Sequence, residues 1–558
     1  MKINQEFETR YTRLNQKQRQ AVDTIFGPVM VIAGPGSGKT ELLSMRVANI
    51  LRETDTLASS ILCLTFTEAA ATNMRERLTD VIGRDAYKVA IHTFHSFANE
   101  VINQNPEFFF FGASFSTLDE MMKLDIIDSL LSKLPKDNVL ASYQESVGWT
   151  FRSSIISGIS DLKQEGFSPD DFSTILDQNE RFLENTNELF SDFFEDRITK
   201  ETVLQLPLLL DSLQQFVEPK IGKYESLGEY YIKKLLAVWD QCQEHEKTTP
   251  PLSLFKKSYI TKTDSGKNQL KDVKTNLKNI ELCKIYQAYQ NELWSQGLFD
   301  FDDMLLEVNK VLASKPELAL NLQERFQFVL VDEFQDTNGV QLKLVQNLVN
   351  NPSYRGRPNI MVVGDDDQAI FKFQGANVKH MFDFQQMFVD VQVITLGTNY
   401  RSGQKILDLA TEVIAQSEER LGSQSGLEKE IVAFAVKPET IVSYHDLPTS
   451  EEELVWVALE TQRLIQSGVS PKEIAVIART HAPLAQLVEI MYAHNISISY
   501  ERGQDVFNQE HIVSLLTVLR YVNSLFCSEN EPELDDLLPI ILNLDFWICL
   551  LIVYTSSA

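Results

Sequence analysis

Residues 29–40 read VMVIAGPGSGKT. An apolar run of strand length meets a glycine-rich turn that closes on Lys39 and Thr40. Gly34, Gly36 and Gly38 have no Cβ, so the turn built from Ala33, Gly34, Pro35, Gly36, Ser37 and Gly38 can bring backbone N–H groups close around a phosphate. Lys39 then supplies a point charge for the outer phosphates, and the Thr40 hydroxyl can ligate Mg²⁺. Residues 39–52 have helical periodicity, so a helix N-terminus faces the same anion. The strict pattern asks for Gly at 33, where this chain has Ala33. With a strand before it and a helix after it, the loop reads as a nucleoside triphosphate site in an α/β fold.

Residues 28–110 alternate strand-like and helix-like stretches. ILCLTF (61–66) reads as a buried strand, TEAAATNMRERL (67–78) as a helix, and VAIHTFHSF (89–97) as a strand running into a helix. From about residue 115 long amphipathic helices take over, such as 118–134 and 151–165, with a polar linker over 247–278. Strand-like stretches return at FQFVLVDE (326–333) and NIMVVGDDD (359–367). A mostly helical insertion, roughly 115–298, therefore sits inside one α/β domain. After residue 395 a second α/β pattern begins, with IVSYHD (441–446) and EIAVIART (473–480) as strands.

The chain has 558 residues, too many for one core. The five cysteines are scattered without ligand spacing, which argues against a zinc site and fits a reducing cytoplasm. The amino terminus is polar and the longest apolar run, residues 546–554, is too short to span a bilayer, so no membrane association is expected. Net charge is −27, yet residues 1–100 carry 12 Lys+Arg against 11 Asp+Glu, so the acidic excess lies elsewhere. A locally neutral or basic groove for nucleic acid is compatible with that distribution, although most of these charges are simply solvated surface.

VLVDEFQDT (329–337) is an apolar strand that ends in Asp332 and Glu333. A carboxylate at a strand end beside a phosphate loop can hold Mg²⁺ through its water shell, and the next carboxylate is placed to orient and deprotonate a water. Alone, an acidic pair after a strand is a weak signal; with the phosphate loop upstream it is a strong one.

With these residues in place the chain resembles the UvrD/Rep/PcrA-type family of DNA helicases, from the first helicase superfamily. The resemblance rests on LNQKQRQAV (14–22), AGPGSGKT (33–40), LTFTEAAATNMRERL (64–78), IHTFHSF (91–97), FDFDDML (299–305), VDEFQDTN (331–338), VVGDDDQAIFKFQGA (362–376) and LGTNYRS (396–402), in that order. It covers about residues 10–410 and continues less sharply to about 515. It implies a RecA-like core domain (1–114 and 299–395), a helical insertion (115–298), an incomplete second RecA-like domain (396–530) and an aberrant or disordered tail (531–558).

Carried over position by position, the resemblance implies that Gln18 reads the adenine edge, Tyr400 stacks on the adenine, and Arg401 reaches the γ-phosphate as an arginine finger in cis. Gln368 senses that phosphate, Lys39 and Glu333 complete the catalytic set, and Thr40 with Asp332 holds Mg²⁺. For Gln18 and Arg401 the plain alternatives are a solvated helix residue and a surface ion pair. Thr65, Phe66, Thr67, Thr93, Phe94 and His95 are expected to line a channel for single-stranded DNA, with Phe371 and Phe373 stacking on bases. For Phe94 and His95, packing under a helix is the competing reading. Phe373 stands where the family has tryptophan and Gln374 where it has arginine, which implies a weaker grip on DNA. FDFDDML reads as a joint that returns the insertion to the core, rather than as a metal site at Asp302 and Asp303.

The implied activity is ATP-dependent 3′→5′ movement along single-stranded DNA and at single-strand/duplex junctions, by a monomer. The later family motifs, including a second γ-phosphate arginine, are not found before residue 558. Two alternatives follow: a nucleotide- and single-strand-binding module with little turnover, or the motor part of a helicase–nuclease.

Overall fold

The computed structural model describes residues 2–109, 116–144, 148–221, 224–244, 248–263, 266–369, 379–416, 430–434, 440–500, 510–527 and 531–542. They form two compact units, Met1–Ile441 and Val442–Ala558.

The first unit is built on a six-stranded sheet of β1 (Val29–Ala33), β2 (Ile61–Thr65), β3 (Ala90–Thr93), β4 (Phe328–Val331), β5 (Ile360–Gly364) and β6 (Gln392–Leu396), in spatial order β6-β1-β5-β4-β2-β3. Every neighbouring pair is parallel. Parallel sheets are covered on both faces, so their central strands are apolar throughout, as VMVIA and FVLV are, while the outer strands AIHT and QVITL are only partly so. Alternation sorts each strand between two cores. Met30, Ile32, Leu62, Leu64, Val329 and Val331 pack toward the helices Phe94–Gln104, Phe301–Ser314 and Gly339–Val349. Val29, Val31, Ile61, Cys63, Phe328 and Leu330 pack toward Lys39–Glu53 and Glu68–Ile82. All six strands run the same way, so their carboxyl ends share one edge of the sheet, the edge where open α/β sheets take ligands.

Between β3 and β4 the chain is mostly helical, with separate cores around Ile127, Ile159 and Tyr289 and around Phe190, Tyr231 and Phe255. The described residues of the expected linker at 247–278 form regular structure instead. It comprises the helix Pro250–Tyr259, an antiparallel pair Ile260–Lys262 with Asn268–Leu270, and the start of the helix Asp272–Ser295. Buried anchors account for this: Leu252 and Phe255, one turn apart on the helix, are buried with Ile260 and Leu270, and the Asn268 amide donates to Phe194 O.

The insertion is joined to the core at residues 299–303. Asp300 caps the helix Phe301–Ser314 in a reciprocal box with Asp303. Lys163, fully buried on the insertion helix Arg152–Gln164, places Nζ 2.6 Å from Asp300 Oδ2 and 2.7 Å from Asp303 Oδ1. The carboxylates at 300 and 303 are thus consumed structurally, in line with the reading of FDFDDML as a joint. Lys163→Ala would leave two buried carboxylates without their cation and is expected to cost about 3–5 kcal/mol of stability. Urea denaturation measures it, and a loss below about 1 kcal/mol, the range of an exposed pair, would contradict this role.

In the second unit the helices Ser450–Gln466 and His481–Ala493 pack around Ala458, Leu487, Met491 and Ile496. The strands expected at 441–446 and 473–480 are not formed among the described residues. Ile441, Tyr444 and Ile477 are 86%, 85% and 91% exposed. A strand needs a neighbouring ladder, and these segments have the composition without a partner strand among the described residues. Glu531–Leu542 is helical, whereas residues 543–558 of the expected tail lie outside the described residues.

Candidate functional site

The loop after β1 lies at the carboxyl edge of the sheet. Gly36 and Gly38 sit at φ of 63° and 85°, the left-handed region that favours glycine, whereas Gly34 does not need it. Ala33 is wholly buried and pairs with Leu396, so its methyl belongs to the core and costs the loop nothing. Gly38 precedes the helix Lys39–Glu53, whose N-terminus faces the same space.

Two strands away, β4 ends in the acidic pair. Lys39 Nζ lies 2.7 Å from Glu333 Oε2. The loop lysine and an acidic residue nearly three hundred positions later therefore share one site. Glu333 holds φ 46° and ψ 46°, a left-handed conformation that costs a non-glycine residue on the order of 1 kcal/mol. Beyond it a chain of amides and carboxylates runs to Gln368. Gln335 Nε2 donates to Glu333 Oε2 at 2.9 Å, Asp365 N donates to Gln335 Oε1 at 2.9 Å, and Gln368 Nε2 donates to Asp365 Oδ2. Gln335 connects β4 to β5, and its only sequence signal is its place in VDEFQDT.

Burial pushes the Asp332 carboxyl up to about 6, with the Glu333 charge adding to the shift. The same two causes raise Asp336 to about 7. The Ser37 hydroxyl is buried with no hydrogen-bond partner among the described residues. A desolvated carboxylate and hydroxyl-bearing residues beside a lysine suit a hard cation carried in with phosphate oxygens. An acid raised by burial binds its proton more tightly folded than unfolded, so its charge opposes folding at neutral pH, and that cost disappears as pH falls through about 6. Asp332→Asn is therefore expected to melt above the parent protein at pH 7.5 and level with it at pH 5. Thermal melts at the two pH values check this, and an equal offset at both would contradict it.

Gln18 is buried at the rim. Its Nε2 donates to Ser37 O at 2.9 Å and its Oε1 accepts from Asn15 N at 2.9 Å, leaving one N–H and one lone pair for a ligand. Asn15 Nδ2 also donates to the Tyr400 hydroxyl at 2.9 Å, so Gln18 and Tyr400 stand side by side on one anchor. Arg401 follows Tyr400 along the loop, its Cβ against Gly36.

Beside this site, at the ends of β2 and β3, lies a cleft of about 1020 Å³. Phe66, Thr93, Phe94 and His95 line it. The two threonine hydroxyls are already engaged: Thr65 Oγ1 donates to Thr67 O, and Thr93 Oγ1 donates to Glu68 Oε1 at 2.9 Å. Thr67 caps the helix Glu68–Ile82. Phe94 is 2% exposed and packs in the core beneath the cleft wall. His95 faces the cleft, its ring stacked on Phe301 at 3.9 Å, and burial lowers its imidazole to about 4, so it is neutral at pH 7. Phe301 is 58% exposed and lines the same wall, one residue from the Asp300 that forms the joint with Lys163. Among the described residues, the charged ones on the walls are the acidic Glu68 and Asp302, set among amides such as Asn99, Asn103 and Gln341. Phe371 and Phe373 lie outside the described residues.

The three consecutive aspartates at 365–367 hold carboxylate oxygens within 4.8 Å of one another. Among the described residues no helix is long and apolar enough to cross a membrane.

The profile described as "UvrD/REP helicase N-terminal domain" matches residues 14–389, and "UvrD-like helicase C-terminal domain" matches residues 394–526. Similar proteins named "ATP-dependent DNA helicase PcrA" occur in Staphylococcus epidermidis (25% identity, 91% of this chain, 54% of the relative) and Bacillus subtilis (25%, 92% and 53%). A third, in Staphylococcus aureus, has 25% identity over 91% of this chain and 53% of its own length. The chain spans about half the length of these curated relatives. A parallel sheet with a phosphate loop, an acidic strand end and two matching profiles leads to one conclusion: the chain belongs to the UvrD/REP helicase family.

Proposed function

We propose that this chain is the motor portion of an ATP-dependent DNA helicase that moves 3′→5′ along single-stranded DNA. The observation that supports it most is the 2.7 Å contact between Lys39 and Glu333, which brings the loop lysine and the acidic strand end to one point. Gln18 and Tyr400 would receive the adenine. The N–H groups of the loop, Lys39 and Arg401 would neutralise the β- and γ-phosphates, and Arg401 acts in cis. Thr40 and Asp332 would hold Mg²⁺, which supplies positive charge against the phosphate oxygens. When a γ-phosphate draws Lys39 away, Glu333 is released from its ion pair to take a proton from the attacking water. Gln335 and Asp365 then link that event to Gln368, the γ-phosphate sensor.

The adjoining cleft is the proposed seat of single-stranded DNA. Phe66 and the Phe301–His95 pair offer π-faces, and the neighbouring amides offer hydrogen bonds, so binding is expected to tolerate any sequence. With no lysine or arginine among the described residues of these walls, the affinity contributed here should depend only weakly on salt.

Steady-state hydrolysis with and without oligo(dT) tests the reading. Stimulation by the oligonucleotide to a turnover on the order of 10 s⁻¹ is expected. Failure of labelled oligo(dT) to bind in the presence of a non-hydrolysable ATP analogue would remove the DNA role. Binding of both ligands without turnover would leave a binding module in place of a motor.

A further inference from the structure

We infer that Asn399 is a positioning residue for nucleotide binding: its side-chain amide fixes the phosphate-loop peptide and the Arg401 backbone in one rigid unit. The inference rests on the reading of the loop as an ATP site.

Asn399 lies just past β6, in the pair Thr398–Asn399 with Val432–Ala433, and its side chain is 1% exposed. Its Oδ1 accepts from Arg401 N at 2.8 Å and from Ser402 N at 2.7 Å. Its Nδ2 donates to Pro35 O, in the middle of the phosphate loop. The orientation of this amide is fixed by chemistry, since turning it over would set its NH₂ against two N–H donors and its oxygen against a carbonyl. Next to it, Tyr400 N donates to Gly36 O at 2.9 Å, and Gln18 Nε2 takes Ser37 O. Three successive loop carbonyls, at 35, 36 and 37, are thus held from outside.

In a trans peptide the N–H points opposite to the C=O. Holding Pro35 O and Ser37 O therefore aims Gly36 N–H and Gly38 N–H to the other side, into the space before Lys39. Ser37 N–H closes the turn on Gly34 O at 3.3 Å. The approach is close enough to dictate a residue: a Cβ on Gly36 would lie 2.7 Å from Arg401 Cβ and 2.8 Å from Asn399 Nδ2. One buried amide thereby does two things. As donor it orients the loop, and as acceptor it shapes the turn that carries Arg401.

Asn399→Asp separates the two. Aspartate keeps both acceptor bonds to Arg401 N and Ser402 N, loses the donor, and sets a carboxylate against Pro35 O. Asn399→Ala loses both. The full chain is titrated with ATPγS by calorimetry and assayed for kcat with oligo(dT), with Lys39→Ala alongside and thermal melts to verify folding. Asn399→Asp is expected to raise the ATPγS Kd about ten-fold or more, the effect of losing one well-placed hydrogen bond, while kcat stays within about three-fold. Asn399→Ala is expected to raise Kd similarly and to lower kcat as well. An unchanged Kd in Asn399→Asp, beside a Lys39→Ala protein that no longer binds, would overturn the inference and leave the ATP site standing. Unimpaired binding by Lys39→Ala would overturn the ATP-site reading and the inference with it. Should the aspartate variant fail to fold, an unchanged Kd in Asn399→Ala overturns the proposal.

Discussion

Glutamine in place of Glu333 is expected to leave ATP bound while slowing its hydrolysis by about 10²–10⁴-fold, the usual contribution of a positioned general base. The substitution is nearly isosteric. Glutamine Oε1 can still accept from Lys39 Nζ and from Gln335 Nε2, the two donors that hold Glu333 Oε2 at 2.7 and 2.9 Å. The loop, the strained turn at residue 333 and the link to Asp365 should persist. What disappears is a site for the proton of the attacking water. Loss of a negative charge beside Asp332 and Asp336 should also lower both carboxyls toward their ordinary values, because Glu333 contributes to raising each. Single-turnover hydrolysis beside an equilibrium titration with ATP measures the two effects separately. Retention of full turnover would remove Glu333 from the role of base.

Lys39→Ala acts at the opposite partner of the same contact, and its expected effect differs in kind. Removal of the ammonium takes away a charge-assisted contact worth about 1.5–3 kcal/mol, or about ten- to a hundred-fold in affinity. It also leaves Asp332, Glu333 and Asp336 without the cation that offsets them, so the site repels a triphosphate instead of receiving it. Binding should fall by at least that factor, with turnover lost in a standard assay. Global stability should fall less than in Lys163→Ala, because Glu333 is one-third exposed whereas the partners of Lys163 are buried with it.

Much of this arrangement is legible in the sequence, for a physical reason that differs from part to part. The strands at 61–65, 328–331 and 360–364 are short, almost wholly apolar and followed by turn or helix-capping residues, so local composition reveals them, and AIHT at 90–93 shows instead by running straight into a helix. The phosphate loop declares itself because the backbone at 36 and 38 turns left-handed, a conformation that glycine alone adopts without strain. Asp332 and Glu333 are visible because a phosphate loop upstream calls for an acidic strand end; the acidic pair by itself would be a weak signal. Gln335, Asn15 and Asn399 are illegible for the opposite reason. Each is an ordinary amide whose importance lies in two or three hydrogen bonds to residues far away in the chain. Phe301 hides in a motif whose aspartates serve the joint with Lys163 while its ring serves the cleft. The segments at 441–446 and 473–480 show the converse failure, since strand composition predicts a ladder only where a partner strand exists.

One nucleotide titration tests the central claim, that Lys39 and Glu333 face a single triphosphate from opposite sides. ATPγS with Mg²⁺ is titrated into the parent protein, Glu333→Gln and Lys39→Ala. The geometry predicts binding by the first two within a few-fold of each other and loss of at least about ten-fold in the third. Equal affinity in all three proteins, or equal loss in both variants, would contradict it.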